Sequence, residues 1–198
     1  MRGLRECAKG AGVERLGGGL DAELAHAPVA DAMVALSMPI PRVYLDTSVV
    51  GGCFDREFAI WSLALVEDFR AGRLRPLVST LLAAELEQAP AAVRALHLEL
   101  IALAEPALTL GDEAFDLADR YRAHRIVPER YQNDMLHIAL ATVGLADVVV
   151  SWNFRHIVRF DKIRQFNAVN LEAGYKPVAI HSPREVSTYG TDSPSDIG

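Results

Sequence analysis

Three carboxylates in this 198-residue chain stand where chemistry can be done: Asp46, Glu85 and Asp134. Asp46 ends a short strand-prone run, Val43, Tyr44 and Leu45, and is followed by Thr47, Ser48 and the flexible pair Gly51 and Gly52. Strand carboxyl ends form the floor of the ligand crevice in an open α/β sheet, so an acid there points at the ligand. The competing reading gives Asp46 a local task, an Asx-type bond that ties down the turn. Glu85 falls on a helix leaving the second strand, and Asp134 opens the helix before the buried run DVVVS at 147 to 151. Taken singly, each has a structural role: Glu85 exposed like its neighbour Glu87, Asp134 an N-cap or a charge on the helix dipole. Taken together on one sheet edge, their negative charge is costly in a poorly solvated pocket and implies a cation. Oxygen ligands without cysteine favour Mg²⁺ or Mn²⁺ over zinc.

The elements that must bring these acids together follow from periodicity. The run 57 to 71 repeats apolar residues at helical spacing, with Phe58, Trp61, Leu65 and Phe69 as its core side. Residues 75 to 79 read as a second strand, Thr80 as the N-cap of the helix carrying Glu85, and 90 to 105 as a further helix with Pro90 at its start. A third strand is expected at 106 to 110, then a helix from Asp112 to about 125, and another over 132 to 143 ended by Gly144. DVVVS is an unalternating hydrophobic strand of the kind covered on both faces, and 177 to 181 is the last. Strands alternating with helices specify an α/β fold, about five parallel strands with helices on both faces.

The apolar fraction of 51% suits a single globular domain with appendages. No stretch approaches the ~18 apolar residues of a membrane span, and the first residues lack a signal-peptide core, so cytoplasm is the expected location. Residues 1 to 40 are Gly- and Ala-rich and read as a disordered leader, with Met38 as a candidate true start; 41 to 183 form the domain, and 184 to 198 a polar tail. Cys7 and Cys53 read as free thiols. A net charge of −6 argues against a nucleic-acid partner, but the arginines gather at 71 to 75, 120 to 130 and 155 to 164, the last two flanking the later acidic candidates.

Four stretches carry a resemblance: YLDTS at 44 to 48, STLLAAELE at 79 to 87, QNDMLHIALAT at 132 to 142 and DVVVSWNFRHI at 147 to 157. In this order, over about 42 to 182, they resemble the PIN-domain nucleases, which include the VapC-like toxins of bacterial toxin-antitoxin pairs. The resemblance implies a PIN-like three-layer sandwich and a Mg²⁺- or Mn²⁺-dependent endoribonuclease whose metal ligands fall on Asp46, Glu85 and Asp134. It further implies products with 5′-phosphate and 3′-hydroxyl ends, a small antitoxin partner and a homodimer. The family's fourth Asp is here Asn153, which keeps a neutral oxygen but loses a charge, so a second metal is held more weakly. By the same resemblance Ser48 orients the first acid, and Ser151 positions Asn153 or a water. Arg130, Arg155, Arg159 and Arg164 are the candidates to grip RNA phosphates, with Trp152 stacking on an unpaired base or packing at the strand end. His137, one turn after Asp134, could approach the metal or substrate but reads better as a satisfied, partly buried imidazole, and His156 as a surface or packing residue.

Two other functions compete. Asn153 favours a catalytically weakened PIN fold that binds nucleic acid or a partner. A haloacid-dehalogenase-type phosphatase also begins with a strand-terminal Asp, but its second Asp falls on position 48, which is Ser.

Overall fold

A computed structural model describes residues 39 to 188. Residues 1 to 38 of the leader, Cys7 and Met38 among them, and the last ten residues of the tail lie outside the described residues.

The order of elements is β1 (Arg42–Leu45), α1 (Thr47–Gly52), α2 (Ala59–Arg70), β2 (Arg75–Leu77), α3 (Thr80–Leu86), α4 (Ala91–Leu103), α5 (Asp112–Ala123), a 3-10 turn (Glu129–Tyr131), α6 (Gln132–Val143), β3 (Val148–Val150), α7 (Phe160–Glu172), β4 (Ala179–His181) and α8 (Pro183–Val186). The strands form one parallel sheet in the order β2-β1-β3-β4. Both faces are covered, because successive side chains of a strand point opposite ways. Val43, Leu45, Val148 and Val150 pack under α1 to α4, whereas Tyr44, Leu77, Val149 and Ile180 pack under α5, α6 and α7. Burial on both sides is why DVVVS reads as an unbroken apolar run.

The sheet has four strands rather than the five anticipated. The missing one, at 106 to 110, shrinks to a single bridge between Leu108 and Ser79, held by Thr80 N–H to Leu108 O at 2.9 Å and Leu108 N–H to Val78 O at 2.9 Å. Pro106 lacks an N–H to give, which limits the ladder at this edge.

Capping also differs in detail. Ser79, not Thr80, caps α3, its hydroxyl accepting from Leu82 N–H at 3.1 Å. Gly111 caps α5, and Asp112 sits in the first turn where its charge suits the helix dipole. Gly144 ends α6 with a φ of −74°, and Leu145 takes the left-handed conformation at φ 55°. Glycine is needed at 144 for space, since a Cβ would stand 2.4 Å from Leu108 Cδ1.

The pair Gly51 and Gly52 is helical, not a flexible hinge. A Cβ on Gly52 would lie 2.7 Å from Trp152 Nε1 and 2.8 Å from Ser62 Oγ, the two ends of a buried hydrogen bond. Gly52→Ala is therefore expected to cost about 1–3 kcal/mol, as overpacking does, read as a lower urea midpoint with unchanged slope.

Residues 184 to 188, the expected start of the polar tail, belong to the fold. Ser182 and Glu185 form a capping box for α8, and Thr188 bonds buried Asp68 through its N–H at 2.9 Å and its hydroxyl at 2.6 Å. Among the described residues no helix is long and apolar enough to cross a membrane. Cys53 is a buried free thiol, pushed up to about 12 by burial, the profile of an inert core residue.

Candidate active site

The chain leaves β1 for β2 on one side and later crosses to β3 on the other, so the sheet's switch point lies between β1 and β3. Their carboxyl ends carry Asp46 and Ser151, with Asp46 N–H bonded to Val150 O at 3.2 Å. This is where ligands bind in open α/β sheets.

Asp46 is 6% exposed and its side chain makes no capping bond to a backbone N–H of the helix it precedes. The local capping role is thus vacant. Instead its Oδ2 accepts from Ser48 at 2.5 Å and from Ser151 at 2.6 Å. Both serines are held in turn: Trp152 N–H donates to Ser48 Oγ and Asn153 N–H to Ser151 Oγ, each at 2.9 Å. With both hydroxyl protons spent on Asp46, these residues aim the carboxylate. Oδ1 faces His137 Nε2 at 3.6 Å.

Glu85 projects from the second turn of α3, while Glu87 is exposed as the sequence suggests. Glu85 Oε1 accepts from Asn133 Nδ2 at 2.7 Å; Oε2 faces His137 Nε2 at 3.1 Å and accepts from the Thr47 hydroxyl. Burial would raise this carboxyl, but the bonds from His137, Thr47 and Asn133 outweigh it and pull it down to about 2. His137 is the hub. Its Nδ1 lies 2.8 Å from Tyr44 Oη, which lies 2.9 Å from Ser79 Oγ. Burial raises the Tyr44 phenol far above its ordinary value, so it stays a donor. A consistent ordering runs Ser79 O–H to Tyr44, Tyr44 O–H to His137 Nδ1, and Nε2–H to Glu85.

Asp134 is the third residue of α6, not its cap. Its Oδ2 lies 2.9 Å from His156 Nδ1. Burial raises its carboxyl above the usual range; the His156 and Asn153 bonds oppose this, while the charge of Asp46 adds to the rise. Asp46 and Asp134 therefore face the same space. Asn153 bonds Asp134 through its side chain and accepts His156 N–H on Oδ1 at 3.0 Å. An Asp here would put another carboxylate against Asp134, so the amide relieves repulsion.

Asp46 and Glu85 meet at His137 Nε2 and Asp134 lies near enough to Asp46 to feel its charge, but imidazoles and amides stand against these carboxylates where the sequence assigned a cation. Among the described residues no three His, Cys, Asp or Glu side chains are grouped to hold a metal ion as they stand. In kind, three carboxylates suit a hard divalent ion, and the rise that burial and, less, the Asp46 charge force on Asp134 is a strain such an ion relieves.

The proposed substrate residues divide. Trp152 is 9% exposed, stacked on Phe58 with centroids 4.4 Å apart and bonded to Ser62 Oγ at 2.8 Å, so packing claims the indole that was offered to a base. Arg159 is paired with Asp161 at 2.7 Å, and Arg164 lies over Phe160. Arg130 and Arg155 lie 4.8 and 6.0 Å from the centre of the Tyr131 ring, and that ring lies 3.8 Å from His156. Tyr131 is thus a platform on the crevice rim that sequence reading missed, as it missed Tyr44, Thr47 and Asn133. The last two adjoin acids already chosen, and that adjacency was the available signal.

No family model matches this chain, and no curated protein matches it in sequence.

Proposed function

We propose that the crevice is the active site of a divalent-metal-dependent endoribonuclease of PIN-like architecture, a cytoplasmic toxin whose partners are RNA, a small antitoxin and a second copy of the chain. What supports this reading is that Asp46 and Glu85 share His137 at the switch point of a parallel sheet, with Asp134, from a third element, within reach of the Asp46 charge. The Leu108 bridge beside β2 fits a fifth, vestigial strand in that architecture.

A Mg²⁺ or Mn²⁺ ion held by Asp46, Glu85 and Asp134 would supply Lewis acidity and a more acidic bound water at neutral pH. Ser48 and Ser151 keep Asp46 aimed, and His137 with Thr47 fixes Glu85 in place. Arg130 and Arg155 draw the phosphate backbone across Tyr131, whose ring can take a base.

Incubation with a structured RNA pool and Mg²⁺ tests this. Cleavage giving 5′-phosphate ends, stopped by chelator and by Asp46→Asn, is the expected result. Tight binding without metal-dependent cleavage supports instead a nucleic-acid-binding protein on a weakened PIN fold. The His137 and His156 contacts, which satisfy the carboxylates without a metal, favour that second reading.

A further inference from the structure

The segment joining α5 to α6 bounds a cavity of about 580 Å³ lined by Arg122, Arg125, Pro128, Glu129 and Lys162. Three cations face one carboxylate there. Arg122 is paired with Asp119 at 3.0 Å, and Lys162 Nζ donates to Ile126 O. Among the described residues the Arg125 side chain has no hydrogen bond or ion pair, and neither has that of Arg130 or Arg155.

Arg125 also carries a backbone anomaly. Its φ is 54°, the left-handed region that follows many helices and that glycine enters without a Cβ clash. A long cationic residue occupies this position at a cost in strain, and sends an unpartnered guanidinium to the cavity.

One 3-10 turn, Glu129–Tyr131, links the cavity to the crevice along the chain. Glu129 lines the cavity, and two residues on Tyr131 lies against His156, which bonds Asp134. Cations without a carboxylate partner therefore stand at both ends of this turn, Arg155 and Arg130 at Tyr131 and Arg125 and Lys162 at the cavity. In a chain of net charge −6 this is a local reversal of sign.

We infer that the Arg122, Arg125 and Lys162 cavity is a second phosphate-binding subsite, which holds the backbone of a single-stranded RNA several nucleotides from the bond at the carboxylates. The inference rests on the nuclease reading for what occupies the crevice, but the subsite itself reads backbone charge and so acts on binding whether or not the bond is cut. It makes the protein select long single strands over short ones.

The test uses the full chain with a tetranucleotide and a dodecanucleotide of the same unstructured sequence, measuring affinity over a salt series and cleavage in Mg²⁺. Affinity for the dodecamer should exceed that for the tetramer, and Arg125→Ala with Lys162→Ala should remove most of that difference. The log-log salt slope for the dodecamer should become shallower by about 1.4, the loss of two contacts to a single strand. Tetramer binding and cleavage should be unchanged. Arg125→Gly separates charge from folding: relief of the left-handed strain keeps or raises the unfolding temperature while dodecamer affinity falls. Equal affinity of wild type and the double variant for the dodecamer overturns the inference, and tetramer cleavage in that case leaves the nuclease reading standing. A length preference lost in the double variant, with no cleavage by wild type, keeps the subsite and overturns the nuclease reading.

Discussion

Asp134→Asn is expected to make the protein more stable at neutral pH while lowering RNA cleavage more than about a hundredfold, beyond the usual loss for a residue that only orients a metal ligand. The two effects share one cause. Burial and the Asp46 charge raise the Asp134 carboxyl above its ordinary 3.8. An acid raised on folding favours the folded state below its unfolded value, and that advantage is lost as pH rises through the folded value. At neutral pH the ionised group is then a liability to folding. Asparagine removes the repulsion and keeps an oxygen for His156, so the melting temperature should rise. Activity should fall because the same charge is what the proposed metal site uses. A variant that is less stable at pH 7 would contradict this view of the carboxylate, and one that cleaves normally would remove Asp134 from the site.

His137→Ala carries the largest expected loss of stability, about 3 kcal/mol, because it opens a buried cavity and strands the Tyr44 hydroxyl. The pH dependence supplies a sharper signature. Glu85 is depressed from 4.5 to about 2, so in the wild type it contributes stability that is full above pH 4.5 and lost as pH falls through about 2. His137 is the first of the bonds that hold it there. Without the imidazole the carboxyl moves back towards its ordinary value, and the change in stability across that acid window shrinks. Tyr44→Phe is the control: it removes one hydroxyl, costs about 1 kcal/mol and leaves the Glu85 contacts in place. Urea unfolding from pH 7 to pH 3 distinguishes them, and identical acid limbs in wild type and His137→Ala would show that His137 does not govern Glu85.

Much of this arrangement was readable from residue order. α6 runs over 132 to 143 as its apolar stripe indicates, and β1 stops at Asp46 because Asp46 breaks the strand-prone run. Placing the acids on one rim required only the alternation of strands and helices. The third strand failed because an edge strand makes little demand on sequence: Leu108 alone meets Ser79. Sequence left Trp152 open between stacking on a base and packing, because the partners that decide for packing, Phe58 and Ser62, are about ninety residues away. The histidines show the same limit. His137 was correctly read as a satisfied imidazole, but nothing local says that its partners are Tyr44 and two of the three acids. His156 was placed at the surface or in packing, and is buried against Asp134 across the β3 switch. Such pairings follow from sheet order, which local periodicity does not carry.

The central claim is that Asp46, Glu85 and Asp134 act as one divalent-ion site, and a Mn²⁺ titration of thermal unfolding tests it most directly. The account predicts a saturable rise in the wild-type unfolding temperature, corresponding to about 2.7 kcal/mol at a hundredfold excess over the dissociation constant, and no rise in Asp46→Asn. An unfolding temperature indifferent to Mn²⁺, or raised equally in wild type and Asp46→Asn, would contradict it.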